Sequence, residues 1–195
     1  VWRFDAKGMD ALMEQVMFEP LDERRRFFLL DICMAEAFTA EQAAFVWREP
    51  DADALLHDLT HNNAFIIESS PGVYRCHHML RQLLRRKFAL LPQSAQADAC
   101  GRLGSWYERT GEYLTAAELF RQAGDWDGLL RAAAADCGKS AGGEHRQMLL
   151  SWCRDCPEDV LRRHPDAVCV LMRKLFSFRE IPELLRLRAL LLDAL

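Results

Sequence analysis

The sequence lacks an apolar run approaching the roughly 20 residues that cross a bilayer, and no charged and then apolar leader follows Val1. It also lacks a strong charge of either sign, because its 195 residues carry a formal net charge of -4. That balance gives no general attraction to nucleic acid or to an anionic membrane. The chain does not begin with Met, so we expect an internal piece of a longer protein that makes no contact with the membrane.

The cysteine content disfavours a disulfide scaffold. The chain has seven cysteines, an odd number spread over a long sequence, whereas secreted disulfide frameworks are short and use even numbers. Most of these cysteines lie within apolar helical patterns, where a free thiol packs as a small hydrophobic side chain. We therefore expect free thiols and a cytoplasmic protein.

The sequence also lacks a complete set of residues for metal binding or catalysis. Cys153 and Cys156 form one close pair, but a structural zinc site usually needs two such pairs. Gly138 and Lys139 are similar to the end of a phosphate loop, yet Ala133 stands where that motif requires its first glycine. No nucleophile is accompanied by a base in a recognisable pattern. We expect no enzyme activity, no metal and no cofactor in this chain.

Helical periodicity dominates what is present. An apolar pattern over residues 21–34 predicts a first helix, and Thr39 with Gln42 three residues later predicts the capped start of a second. Pro50 is expected to end that second helix, and a third is expected to run to about His61.

One segment has the features of a β-hairpin. Short runs of β-branched and aromatic residues at 65–68 and 73–76 flank the turn-forming Ser69-Ser70-Pro71-Gly72. A fourth helix is predicted from about His77 to Leu91. Three helices, a hairpin and a helix is the order of a winged-helix domain, in which the hairpin is the wing and must pack on the helices.

The chain after Pro92 is predicted to be helical throughout. Gly111, Gly124 and the glycines of residues 138–143 divide it into pieces of about 12 residues. Alanine pairs at helix contacts and glycine at corners favour stacked antiparallel helix pairs, although the spacing does not keep a period of about 34 residues. We therefore predict a mainly α protein: a winged-helix domain with one small β-hairpin, followed by tetratricopeptide-like antiparallel helix pairs.

Charge argues against DNA binding by the predicted winged helix. Residues 49–74, which include the third helix and the wing, contain no Lys or Arg but five carboxylates. Cationic side chains supply most of the affinity of a DNA-reading helix. We expect this surface to pack against protein instead.

Basic residues cluster on the fourth helix. His77, Arg81 and Arg85 are four apart and form one strip beside an apolar strip that includes Leu80 and Leu84. His77 would start the helix next to the wing, at the edge of the core. There its imidazole either meets a phosphate together with the helix N-terminus or simply caps a helix on a solvated face.

Two segments resemble the signature of MalT-like, LuxR-type transcriptional regulators, in which an Asn-x-Phe element is followed by Tyr-Arg-aromatic-His. They are residues 63–67 and residues 74–80. The resemblance continues through Trp106-Tyr107 with Gly111, Ala116-Ala117-Glu118, Ala123-Gly124-Asp125-Trp126, and Trp152 with Pro157-Glu158 and His164-Pro165.

The resemblance implies a domain order. Members of this family are signal-transduction ATPases with a nucleotide-binding domain, a short helical domain, a winged helix, an arm, a helical-repeat sensor and a C-terminal helix-turn-helix. By this resemblance, residues 1–18 end the helical domain, residues 19–91 form the winged helix, and residues 92–195 form the arm and the start of a tetratricopeptide-like superhelical sensor. The fragment is then expected neither to hydrolyse ATP nor to bind DNA, while ATP and ADP are the cofactors of the intact protein.

The resemblance also implies a role for His77. In related nucleotide switches, a Met-His-Asp motif of the winged helix contacts the β-phosphate of bound ADP through its His. Cys76-His77-His78 aligns with that motif, with Cys76 in the place of Met and His78 in the place of Asp. His77 is therefore expected to contact ADP in the intact protein. The expected partners are the protein's own nucleotide-binding domain and a protein or small-molecule inducer at the sensor.

Two other functions stay open on the sequence. One is a stand-alone helical-repeat scaffold for protein–protein interactions, which would have no ATPase domain upstream. The other is a winged-helix DNA binder, which the acidic third helix opposes. A phosphate loop upstream and a helix-turn-helix downstream in the full reading frame would decide for the regulator.

Overall fold

A computed structural model describes Leu12, residues 14–62 and residues 66–193. The described chain is mainly α-helical with one three-stranded antiparallel sheet, which confirms the predicted mainly α fold with a small β-hairpin. Its contacts divide it into two compact units, with the division after Arg102. Most of the predicted helical-domain segment, residues 1–18, lies outside the described residues, and its described part includes one turn of π-helix, Glu14–Phe18.

Polar caps set the helix starts in the first unit. Helix α1 (Glu23–Ile32) follows Asp22, whose carboxylate accepts a hydrogen bond from the backbone N–H of Arg25 at 2.8 Å. The hydroxyl of Thr39 accepts from the backbone N–H of Gln42 at 3.1 Å, which confirms the predicted cap of the second helix.

The first unit also contains three further helices and three strands. The second helix is α2 (Ala40–Trp47), and α3 (Ala52–Asn62) lies where the third helix was predicted. The strands are β1 (Phe38–Thr39), β2 (Ile66–Ser70) and β3 (Val73–Cys76), and they are followed by α4 (His78–Ala89).

Strands β2 and β3 are the predicted hairpin, which the structure confirms. Gly72 takes a φ of +75° in the turn, a conformation that glycine adopts without strain, and its N–H donates to the carboxylate of Glu68 at 2.7 Å. The predicted first strand began at Phe65, which lies outside the described residues together with Asn63 and Ala64.

The prediction of a hairpin alone missed the third strand. Strand β1 pairs antiparallel with β3, so the sheet order is β1-β3-β2. Phe38 is opposite Tyr74, and the two rings stack with their centroids 6.1 Å apart. The wing is therefore anchored to the segment that leads into α2.

The core of the first unit contains the predicted apolar strip of α4. Leu80, Leu84 and Phe88 are all buried and share this core with Phe28 and Leu59 of α1 and α3. Burial of each such side chain contributes about 1.5–3 kcal/mol relative to exposure.

The first ten residues of helix α5 (Gln93–Thr110) belong to the first unit and end at Arg102, which is paired there. The two terminal nitrogens of Arg102 each donate to the carboxylate of Asp31 at 2.8 Å, and the guanidinium also donates to the carbonyl of Val46. Only 10% of the Arg102 side chain is exposed. A bidentate pair of this kind holds the first part of α5 against α1 and the end of α2.

Within the described residues, the regular secondary structure of the second unit is all helical. A short 3-10 turn, Gly143–His145, precedes the third of its helices. The helices are α6 (Tyr113–Ala123), α7 (Trp126–Asp136), α8 (Arg146–Asp155), α9 (Glu158–Arg163), α10 (Pro165–Ser177) and α11 (Ile181–Leu192).

Glycines act at two different places in this unit. Gly111 and Gly124 have φ of +85° and +74° and lie at helix boundaries, as predicted. Gly104 lies inside α5, where an added Cβ would be 3.1 Å from the ring of Phe120. The ring of Phe120 therefore packs against bare helix backbone.

The predicted pieces of about 12 residues were too short for α5, because this helix continues through Gly104 for 18 residues.

Within the described residues, none of the helices is both long enough and apolar enough to cross a membrane.

Candidate functional site

His77 lies between the end of β3 and the first residue of α4. It is the N-cap residue of α4, and its Nδ1 accepts a hydrogen bond from the backbone N–H of Met79 at 3.4 Å. Its ring lies beside that of His78, with the centroids 4.3 Å apart. His77 is half-buried and His78 is exposed. A neutral imidazole that accepts at Nδ1 carries its proton on Nε2, so His77 offers one N–H donor at the start of a helix.

The predicted basic strip on α4 is not one continuous cationic surface. The guanidinium of Arg81 is 3.8 Å from the carboxylate of Glu36. Farther along the helix, Lys87 pairs with Glu14, and its ammonium lies 5.4 Å from the centre of the Phe18 ring. The cation nearest to His77 along its own helix face therefore already has a carboxylate beside it.

Four of the seven cysteines are buried, and two are exposed. All seven are unpaired, and both Cys153 and Cys156 are buried. Burial raises the pKa of these two thiols to about 12 and about 11, so both stay protonated at neutral pH. Burial likewise raises the pKa of Cys76, next to His77, to about 12. Among the described residues, no three His, Cys, Asp or Glu side chains are grouped so that they could hold a metal ion.

The carboxylates just before and within α3 are of two kinds. Three of them pair with arginines of α1: Arg24 lies 3.4 Å from Glu49 and 2.5 Å from Asp51, and Arg25 lies 2.7 Å from Asp58. Hydrogen bonds from Arg24 and from the indole of Trp47 lower the pKa of Asp51 to about 2.

An open cleft of about 820 Å³ lies between the other face of α3 and the start of β2. We call it the α3–β2 cleft. Its floor is buried and apolar, and most of its rim is exposed and polar. The floor includes Leu56 and Ile66; the rim includes Asp53, His57, His61, Ile67 and Glu68, with Ala40, Thr60 and Tyr74 half-buried around it.

Two histidines on this face of α3 are in contact. The rings of His57 and His61 have their centroids 4.0 Å apart, and Nδ1 of His61 is 2.9 Å from the carbonyl oxygen of His57. Because a carbonyl oxygen only accepts, Nδ1 of His61 carries the proton, and Nε2 of neutral His61 is a hydrogen-bond acceptor.

This cleft was not predicted from the sequence. Asp53 and Glu68 are two of the five carboxylates that oppose DNA binding, and neither histidine was a predicted site residue. A signal was present, since Asp53, His57 and His61 recur every fourth residue and must share one helix face. Their proximity to Glu68 depends on how the wing lies against α3, which no local pattern specifies.

Residues 13–97 match the family model of the MalT winged helix domain. This stretch contains α1 to α4, the three strands and the start of α5, and the match confirms the predicted winged helix and supports a MalT-like family. Comparison with curated proteins and with solved structures gave no match.

Proposed function

We propose that this chain is an internal regulatory part of an ATP-dependent, LuxR-type transcriptional regulator of the cytoplasm. In this proposal the winged helix changes position with the nucleotide state of the intact protein and couples to a helical-repeat sensor. The observation that carries the proposal is the match of residues 13–97 to the MalT winged helix domain. Residues 49–74 contain five carboxylates and no Lys or Arg, which supports a switch that packs on protein rather than a reader of DNA.

The second unit supports the sensor part of the proposal. Helices α6 and α7 are joined by only Gly124 and Asp125, so they reverse direction and pack on each other as a hairpin. Ala116, Ala117 and Ala132 are completely buried in this unit. Small residues at such contacts allow the close helix stacking of tetratricopeptide-like arrays. We therefore interpret residues 92–195 as the arm and the first helices of the sensor.

His77 is the residue through which nucleotide state would act. ADP, when bound to the nucleotide-binding domain, supplies an anionic phosphate oxygen. His77 fits such a group as a single donor, because its Nδ1 is engaged by the N–H of Met79 and its Nε2–H is left to donate. The partial positive charge at the start of α4 favours an anion at this position. Arg81 adds less, because it faces Glu36.

A contact of this kind biases a switch only if it exists in one state and not in the other. A hydrogen bond to a charged group contributes about 1.5–3 kcal/mol. Its loss should therefore shift the ratio of closed to open protein by about ten- to a hundredfold.

The test uses the full-length protein and a fluorescent ADP analogue. His77→Asn is the informative variant, since Asn is a strong N-cap residue but lacks the imidazole. We expect His77→Asn and His77→Ala to release the analogue about ten- to a hundredfold faster, with partial transcriptional activation in the absence of inducer. His78→Ala is the control and should have a smaller effect.

Unchanged nucleotide release by a folded His77→Asn protein would leave His77 as a helix cap only. A parent protein without any nucleotide-binding domain would instead favour the stand-alone scaffold.

A further inference from the structure

The α3–β2 cleft presents mainly hydrogen-bond acceptors. Asp53 and Glu68 contribute carboxylates, and His61 contributes Nε2, because its Nδ1 proton points to the carbonyl of His57. The hydroxyl of Thr60 donates to the carbonyl of Leu56 at 2.9 Å, which leaves only its lone pairs for a ligand. A group that fills this cleft must therefore be rich in donors.

The carboxylates of the cleft have no cationic partner among the described residues. No ion pair involves Asp53 there, and the polar contact of Glu68 is with the backbone N–H of Gly72 at 2.7 Å. In contrast, Asp51 just before α3 and Asp58 within it each face an arginine of α1. Residues 49–74 contain no Lys or Arg, and in the described part of the chain Arg75, which lies opposite Ile67 in the sheet, forms no ion pair with Asp53 or Glu68.

The cleft also has an apolar centre. Leu56 and Ile66 are only 3% exposed at its floor, while Ile67 beside them is 49% exposed. An apolar centre with a polar rim is the usual anatomy of a protein–protein interface. The open form of the cleft, with most of its rim exposed, favours a segment of another protein over an enclosed small molecule.

We propose that the α3–β2 cleft docks a protein partner through a segment that presents an arginine beside an apolar side chain. The guanidinium has five donors in a planar fork and no acceptor, which matches two carboxylates and an imidazole acceptor. It also stacks on aromatic rings, and Tyr74 and His57 both line the cleft. The apolar neighbour would cover Ile67. This inference stands independently of the nucleotide switch, because His77 does not line the cleft.

The test measures fluorescence anisotropy with the 195-residue chain and two labelled peptides. One peptide alternates arginine and leucine, and the other has citrulline in place of each arginine, which keeps the shape and removes the charge. We expect saturable binding of the arginine peptide with a Kd of about 10 μM, and binding of the citrulline peptide at least about tenfold weaker.

A pair of double variants separates the cleft from the overall negative charge. Asp53→Asn with Glu68→Gln removes the two carboxylates of the cleft and should weaken binding by about tenfold or more. Glu112→Gln with Asp166→Asn changes the net charge equally at exposed sites of the second unit, and Asp166 lies in the first turn of its helix, as Asp53 does. This control should change the affinity by less than about twofold.

A third variant tests the exposed apolar side chain of Ile67 on the rim. Ile67→Thr keeps a β-branched residue in β2, so the strand should persist, and it should weaken binding of the arginine peptide severalfold. Circular dichroism checks that each variant is folded. Equal losses in the two double variants, equal affinity for the two peptides, or no saturable binding would each overturn the proposal.

Discussion

At the level of single residues, the two ring nitrogens of His77 differ. Nδ1 caps α4, and Nε2 is the nitrogen that our proposal assigns to the nucleotide phosphate. The two roles respond differently to substitution, because a cap needs only an acceptor near the backbone N–H of Met79.

In the isolated chain, where no nucleotide-binding domain is present, only the capping role should matter. We expect His77→Ala to lower the free energy of unfolding by about 1 kcal/mol and His77→Asn to leave it nearly unchanged, since Asn caps well and Ala does not. Urea denaturation followed by circular dichroism gives both values. Equal losses in the two variants would mean that the imidazole stabilises the chain by packing rather than by capping.

Arg102 forms a largely buried ion pair with Asp31 inside the first unit. Burial raises the pKa of Asp31, although Arg102 opposes this by hydrogen bonding, so an ionised Asp31 relies on its partner. Removing one partner of a buried ion pair leaves the other charge uncompensated.

We expect Arg102→Met to lower the free energy of unfolding by about 2–4 kcal/mol. Adding Asp31→Asn to Arg102→Met should restore part of that loss, because it removes the stranded charge. Urea denaturation of the two variants is the measurement. A double variant less stable than Arg102→Met alone would show that Asp31 stabilises the chain through contacts other than Arg102.

At the level of elements, α3 and the turn of the wing lack the cations with which a winged helix contacts DNA. Two arginines of α1 lie close by, but they are used in ion pairs with Asp51, just before α3, and with Asp58 within it. No cation of α3 or of the hairpin turn is available to exchange for the counterions of DNA.

The chain should therefore not retard duplex DNA in a gel at physiological salt. A winged-helix protein that binds DNA, run at the same concentration, serves as the positive control. A sequence-specific complex tighter than about 1 μM, the tight limit of non-specific binding, would contradict the expectation.

The elements with strong local signals were predictable from sequence. The cap at Thr39, the hairpin around Gly72 and the apolar strip of α4 each depend on residues within one turn or one helix face. Strand β1 was not predictable, because Phe38 and Thr39 form only two residues of strand. Their extended conformation depends on pairing with β3, which is more than 30 residues away in sequence.

Of the two candidate sites, the one that depends on neighbouring residues was predictable and the one that depends on distant residues was not. The position of His77 at the start of α4 followed from the helical pattern and the preceding strand. The α3–β2 cleft did not follow, because its acceptors come from α3 and β2 together. Residue type at Asp53 or Glu68 does not reveal which carboxylate will have an arginine beside it.

At the level of the whole molecule, both units contain carboxylates that folding makes more acidic. In the first unit, the hydrogen bond from Arg24 is the main cause that lowers the pKa of Asp51 to about 2. In the second, a hydrogen bond with His164 is the main cause that lowers the pKa of Asp127. The pKa of Asp31 shifts in the opposite direction, because burial raises it.

These shifts set the dependence of stability on pH. A carboxyl whose pKa is lower in the folded chain than in the unfolded chain contributes stability above its unfolded value, and this contribution is lost as the pH falls through its folded value. A carboxyl with a raised pKa, such as Asp31, contributes stability that is lost as the pH rises. The carboxyls with a lowered pKa include Asp51 in the first unit and Asp127 in the second, so acid should destabilise both units.

Glu118 allows this dependence to be measured at one residue. Burial opposes its ionisation, but hydrogen bonds from Arg121 and from the indole of Trp152 outweigh burial and lower its pKa below the ordinary 4.5. Glu118→Gln removes the titrating group, while its amide oxygen can still accept from the indole. The wild-type chain should therefore be more stable than Glu118→Gln above about pH 4.5, and the difference should shrink as the pH falls further.

Thermal unfolding of both chains across the acid range measures this difference. Glu112→Gln is the matched control, because Glu112 precedes the same helix, is exposed and makes no side-chain cap. Its unfolding temperature should follow that of the wild type at every pH. A constant difference between wild type and Glu118→Gln down to the pH of acid unfolding would mean that Glu118 acts through packing alone and that its charge does not stabilise the second unit.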